Sequence, residues 1–396
     1  MIKPKKVRSR TMEKKTENNS INTAKEISLE DVRLEVQVME EAPSDDQQYT
    51  RGPKERFSGN LNLNLTRLGE RFKGAELKLE QFEVGSIAPK KVVLAYLKER
   101  ANPEIVREIR QRISAIRAVT LLDISFVERN IEDSPLSPFP QAEVCQRPDG
   151  AEAALFQGRT VILCEGSPQA LLAPATFFDL LDTPEDVYSR WFLAASFFRI
   201  ARFIMFIFAV SLPGFYIALT SFNTGFIPTH LAFLIAGSRE GTPFPVYFEA
   251  FLIMGVVEAV RMMMVRLPTQ LGATIALFSG LALIGTGIVA KIISIPMVII
   301  ATLTMISSFA IANNDLREAV RLLQFFTMLM TSIFGLFGFA IAFIYIAIHM
   351  SVLKSFGIAY MSPLAPLEGS GLGHTIVREN TEMMAQDETY KPITVE

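Results

Sequence analysis

Long stretches of this chain lack charge altogether. No Lys, Arg, Asp or Glu occurs in residues 203–238, 267–290, 292–314 or 322–353. Runs of that length exclude ordinary surface helices, which need a polar face toward water. About 20 apolar residues cross a bilayer core, and hydrocarbon admits only helices or closed barrels. The C-terminal half therefore reads as an integral membrane domain.

Other scarcities narrow the function. The two cysteines, Cys145 and Cys164, lack C-x-x-C spacing. They suggest neither a zinc site nor a disulfide scaffold and read as buried or semi-buried free thiols. The histidines, His230, His349 and His374, all fall in or after the charge-free region. There is no glycine-rich phosphate loop, no His/Cys set with metal spacing and no nucleophile elbow. An enzyme is not expected, nor is a cofactor or a metal. Residues 1–15 are basic and polar with no apolar h-region, so no signal peptide is expected. A net charge of −2 offers no argument for nucleic acid, and none is expected as a partner.

That average conceals an asymmetry, because nearly all charge lies before Arg202 or after Lys354. Residues 1–59 read as a disordered polar tail with few apolar positions. Residues 60–182 have the patterning of an α/β cytosolic domain. Strands are expected at 77–84 and 91–97. A helix opens at Asn102 with Pro103 near its first turn, and its apolar positions Ile105, Val106, Ile109, Ile113 and Ile116 recur at threes and fours. A second helix spans 121–131 and a short one 149–156. Strands at 159–164 and 169–172 flank a turn at Glu165–Pro168. Arg147 and Asp149 read as a helix start, with a docking role for another subunit as the less favoured alternative.

Residues 183–202 read as a connecting interfacial helix capped by Thr183. Trp191, Arg199 and Arg202 suit interfacial anchors, with the arginines on the cytoplasmic side. Residues 203–353 form a helical membrane domain, and 354–396 a cytosolic tail. Full spans are expected near 203–222, 272–290, 296–312 and 323–349. The stretch 243–268 is of membrane length yet carries Glu249, Glu258, Arg261 and Arg266. It is expected to be amphipathic or re-entrant, and to be a fifth span otherwise. Glu258 and Arg261 share a helix face, while Glu249 is rotated away. Charge within a membrane helix is a functional-site hypothesis by default, so Glu249, Glu258 and Arg261 are candidates for an ion path or for gating. Simple orientation of the helix by ion pairing is the alternative. His349 reads as an interfacial histidine of no special role, set against a pH-sensitive one.

A set of short motifs carries a family resemblance. PFPQ at 138–141, RPD at 147–149, QGR at 157–159, GSP at 166–168 and PATF at 174–177 occur in one order. They continue through ALTSF at 218–222, SREGTPFP at 238–245, RLP at 266–268 and AVRLL at 319–323. SFG at 355–357 and YMSPLAPL at 360–367 close the series. In these the chain resembles the GerA family, the A subunits of bacterial spore germination receptors. The resemblance implies a subunit of the spore inner membrane with its N-terminal domain in the cytoplasm. It implies homo-oligomers in contact with membrane lipid, a transporter-like B subunit and a lipoprotein C subunit. Nutrients would be sensed mainly through the B subunit, with the A subunit helping to release ions. Two departures stand out. The family's first N-terminal subdomain is expected to be missing, and Met254 and Met262 stand where glutamates are usual. A non-conducting scaffold and a degenerate, truncated paralogue are the alternative functions.

Overall fold

The computed structural model describes residues 24–27, 55–72, 76–183, 192–266 and 269–365. Its first part is a sheet of β1 (Lys25–Glu26), β2 (Leu77–Val84), β3 (Lys90–Leu97), β4 (Glu143–Cys145), β5 (Thr160–Cys164) and β6 (Ala170–Ala173). The strand order is β1-β2-β3-β5-β6-β4, with every ladder antiparallel. Successive side chains of a strand point to opposite faces, and here both faces are covered. Val92 and Leu94 of β3 pack with helices α2 (Pro103–Ala115) and α3 (Ile124–Ile131). Val93, Ala95 and Leu97 pack with α1 (Leu61–Arg71) and α4 (Pro148–Phe156) on the other side. That is why β3 is an apolar run rather than a strict alternation.

Helix starts follow their capping residues. The Asn60 side chain accepts from the backbone of Asn62 and Leu63, and Asn102 accepts from Glu104 with Pro103 behind it. Thr176 and Asp179 form a reciprocal capping box at α5 (Phe177–Leu181). Two features depart from the expected polar tail. Lys25–Glu26 adds an edge strand to β2, and Phe57 is buried in the core beside α1. An edge strand is held by backbone hydrogen bonds, so it needs no apolar pattern.

The second part is helical. It comprises α6 (Phe192–Ile217), α7 (Thr229–Ser238), α8 (Val246–Arg266), α9 (Thr269–Val289), α10 (Ile295–Phe309) and α11 (Asn314–Val352). A π-helical turn, Ala218–Phe222, continues α6. Two stretches, Ser196–Phe222 and Asn314–Val352, are long and apolar enough to cross a membrane.

The second of these is folded in two. Straight, its 39 residues would reach about 58 Å, roughly twice a bilayer core. Instead Gly335 takes φ 63° and ψ −142°, outside the helical region. The rings of Phe326 and Tyr345 then lie 5.7 Å apart, against about 28 Å along an unbroken helix. Two glycines permit the reversal. A Cβ at Gly338 would stand 2.1 Å from the Met330 carbonyl oxygen, and one at Gly335 would meet the Phe222 ring at 2.8 Å. The single span expected at 323–349 is thus corrected to two antiparallel arms. Both arms lie on α6, the first through Thr327 Oγ1, which donates to the Val210 carbonyl at 2.8 Å. The second does so through Phe339, whose ring is 5.5 Å from Phe215.

Both ends of α11 meet the sheet domain, and its tip points away from it. This defines a base and a tip for the helical part. After α11 comes a two-stranded ribbon at the base, β7 (Lys354–Ser355) and β8 (Ile358–Ala359).

Candidate functional site

The charged helix α8 carries two separate networks rather than one. Glu249, in its first turn near the tip, is 1% exposed. Its Oε2 accepts from Arg239 Nη1 at 2.7 Å. Its Oε1 accepts from both the backbone N–H and the hydroxyl of Ser294. Ser294 is the N-cap of α10, so the carboxylate also faces a positive helix end. Nine positions on, about 13 Å along the axis, Glu258 belongs to the base. It accepts from Arg321 of α11 at 2.6 Å and lies 3.5 Å from Arg261. The shared face of Glu258 and Arg261 matches their spacing. The partners Arg239, Ser294 and Arg321 are distant in sequence, and only the fold brings them in.

The other anchors attach to the sheet domain. Arg199 pairs with Asp182 at 2.6 Å, and Arg202 Nη1 donates to the Leu181 carbonyl at 2.5 Å. Both therefore tie α6 to the end of α5. Trp191 lies outside the described residues.

A joint that the sequence did not reveal connects the ribbon and the α11 base to the sheet domain. Ser355 Oγ accepts from the Ala175 N–H at 3.1 Å and donates to the Gln141 carbonyl at 2.6 Å. The Phe356 N–H donates to Asp133 at 2.7 Å, and its ring enters the sheet-domain core beneath Arg112. The Phe177 N–H donates to the Tyr360 carbonyl at 2.8 Å. His349 Nε2 lies 2.9 Å from Ser137 Oγ, and its ring stacks on Phe139. The signal available in the sequence was the SFG motif placed one residue, Lys354, after a charge-free run.

Arg147 and Asp149 form a bidentate pair inside the sheet domain, at 2.9 and 2.5 Å. That geometry serves the start of α4 rather than a docking surface. Cys145 and Cys164 are buried and free. Burial, with Glu143 adding to it, pushes the Cys145 thiol up to about 12. Burial pushes that of Cys164 up to about 11, so neither is a ready nucleophile. Near the joint, burial pushes the Glu128 carboxyl up to about 8, with Asp315 adding repulsion.

Beside this geometry stand the known proteins. The sequence pattern of the family described as "Bacillus/Clostridium GerA spore germination protein" matches residues 21–390. The chain belongs to the GerA family.

Its GerA relatives include spore germination protein GerLA of Bacillus cereus, 37% identical over 80% of this chain and 64% of that protein. Spore germination protein B1 of Bacillus subtilis (strain 168) is 33% identical over 86% of this chain and 70% of its own length. Uncharacterized membrane protein YfkQ of the same strain is 36% identical, over 83% and 64%. The chain thus spans less than two thirds of the length of GerLA and YfkQ. Among solved structures, the N-terminal domain of the A subunit of the Bacillus megaterium spore germinant receptor GerK3 is 35% identical over 32% of this chain and 50% of that one. Its TM-score of 0.27 supports no statement about the fold.

Proposed function

We propose that this chain is the membrane A subunit of a spore germinant receptor. In this reading it sits in the spore inner membrane with its sheet domain in the cytoplasm. It oligomerises, works with a transporter-like B subunit and a lipoprotein C subunit, and couples nutrient sensing by its partners to ion release. It does so as a non-enzyme. The helices run alternately between base and tip, so α6, α8, α9, α10 and the two arms of α11 make six crossings in place of four or five. That even number returns the chain to the side of the sheet domain, where the ribbon docks.

The observation that carries the reading is the joint. Ser355, Phe356 and Tyr360 fasten the base of the α11 hairpin to the sheet domain, so a displacement of one displaces the other. A partner that binds one state of the sheet domain better shifts the membrane helices by its differential affinity. Glu249 with Arg239, and Glu258 with Arg261 and Arg321, act as the gating charges in this scheme. Their ion pairs hold α8 in the closed arrangement.

The test is potassium release from nutrient-treated spores carrying Ser355→Ala with Phe356→Ala at matched protein level. The reading expects delayed or absent release, and normal release defeats the coupling. A second reading, a non-conducting scaffold, draws on one observation. Glu249 is buried and held by Arg239 and Ser294. Cation flux through liposomes holding this chain alone decides against the scaffold.

A further inference from the structure

At the base of the helical part three arginines gather, two of them over one ring. Arg261 of α8 and Arg317 of α11 both lie over Phe309, the last residue of α10. Their guanidinium carbons are 5.7 and 5.8 Å from its centre. Arg321, one turn beyond Arg317, is the third. The acid set against them is small. Glu258 is engaged by Arg321 at 2.6 Å, with Arg261 farther off at 3.5 Å. Glu318 lies 3.4 Å from Arg321 and is turned to solvent.

Arg317 makes no ion pair among the described residues. It donates only to the Ile311 carbonyl, at 2.7 and 3.3 Å. Arg261 holds its Nε and Nη1 away from solvent with no hydrogen-bond acceptor. Buried N–H donors of this kind are costly and are ordinarily satisfied. Two like charges on one ring with so little counter-charge form a site for an anion.

The surroundings say which anion. Phe309, Met262 and Leu322 expose large apolar side chains around the cluster. The charge-free run 322–353 starts one residue past Arg321. If the helices cross a bilayer, this is headgroup depth. An anion held there meets guanidinium forks on its head and apolar surface along its tail. The fork of arginine matches phosphate oxygens two at a time, and basic pockets between membrane helices suit acidic headgroups.

We propose that Arg261, Arg317 and Phe309 form a binding site for the phosphate of an anionic phospholipid. Arg321 and Glu258 fix the walls of the site, and Arg261 gains acceptors for its N–H groups by swinging out to the phosphate. The proposal rests on the reading that these helices cross a membrane. A lipid bound there ties the ends of α8, α10 and α11 together at the level of the joint.

The experiment uses the full chain purified in neutral detergent. The probes are phosphatidylglycerol, phosphatidylcholine and inorganic phosphate at equal concentration, read by thermal unfolding and native mass spectrometry. Phosphatidylglycerol is expected to bind and raise the Tm, and the other two to do neither. The Arg261→Gln/Arg317→Gln variant is expected to bind phosphatidylglycerol roughly 25-fold more weakly, about fivefold per arginine. Should that variant fail to fold, Arg317→Gln alone, which breaks no ion pair, carries the test with about a fivefold loss. Equal binding by wild type and variant overturns the site, as does equal binding of phosphatidylcholine. An equal Tm gain from inorganic phosphate overturns the lipid assignment in favour of a free anion. Flotation of the wild type with phosphatidylcholine liposomes separates the two levels. A chain that does not float fails the membrane reading. One that floats with no preference for the acidic lipid fails the site alone.

Discussion

The sheet domain and the helical part hide opposite things. In the sheet domain Val93, Leu94, Ile162 and Leu163 are fully buried, while ion pairs such as Lys98–Glu76 stand in water. In the helical part Phe233, Phe278 and Phe337 face outward, while Glu249 is closed inside. One residue type therefore means different things in the two regions. An exposed ion pair in water adds little to stability. A buried carboxylate whose partner is removed, or the reverse, is strongly destabilising. The difference fits a sheet domain solvated by water and helices solvated by hydrocarbon.

The largest expected effect concerns the turn of the hairpin. Gly338→Val places a side chain against the Met330 carbonyl, a backbone atom that cannot give way. The two arms are expected to separate. Phe326→Cys with Tyr345→Cys is expected to form a disulfide in the parent chain and none once Gly338→Val is added, as gel mobility under non-reducing conditions will show. A disulfide of equal yield in both would mean that the arms do not depend on this glycine.

Next comes the tip network. Glu249→Ala leaves Arg239 without its buried partner and is expected to cost about 3–5 kcal/mol. Restoring part of that loss with Glu249→Leu plus Arg239→Met, read by chemical unfolding in detergent, would show that the pair fixes geometry more than it stabilises. At the joint, Ser355→Ala orphans the Ala175 N–H and the Gln141 carbonyl and is expected to cost about 1–3 kcal/mol.

A smaller effect is tied to pH. The Glu128 carboxyl is pushed up to about 8 in the fold, above its value of about 4.3 in an unfolded chain. The folded state therefore holds this proton more tightly. Its contribution is complete below about pH 4.3 and is lost as pH rises toward 8. Glu128→Gln is expected to raise the Tm relative to wild type at pH 8 and above and to leave it unchanged at pH 4. A difference that grows instead as pH falls would contradict the burial of this group. The smallest effect is Lys98→Ala, an exposed pair on the sheet domain, for which no change in Tm is expected. A loss comparable to that of Glu249→Ala would erase the contrast between the regions.

Much of the sheet domain was legible because its signals are local. Asn102-Pro103 announced α2, and the valines at 92 and 93 announced a buried strand. The edge strand β1 carried no such signal, since its hold is backbone pairing to β2. The hairpin was hidden for a different reason. Hydrocarbon demands the same side chains on an outgoing arm and a returning one, so residues 322–353 look uniform. Only Gly335 and Gly338 marked the reversal, and glycine is common in membrane helices. Of the charge networks, the Glu258–Arg261 pair was legible from its spacing of three. Arg239, Ser294 and Arg321 were not, because their meeting with α8 depends on how distant helices stack.

Phe356 is 2% exposed within the core of the sheet domain, yet it follows α6 to α11 in the chain. A ribosome delivers it after α6 to α11 have emerged. The sheet domain can collapse early, but its core stays one ring short until the last hairpin has been made and returned. Completion of the sheet domain thereby depends on the return of the α11 hairpin. A chain whose final arm fails to return is left with an unfilled core in its sheet domain.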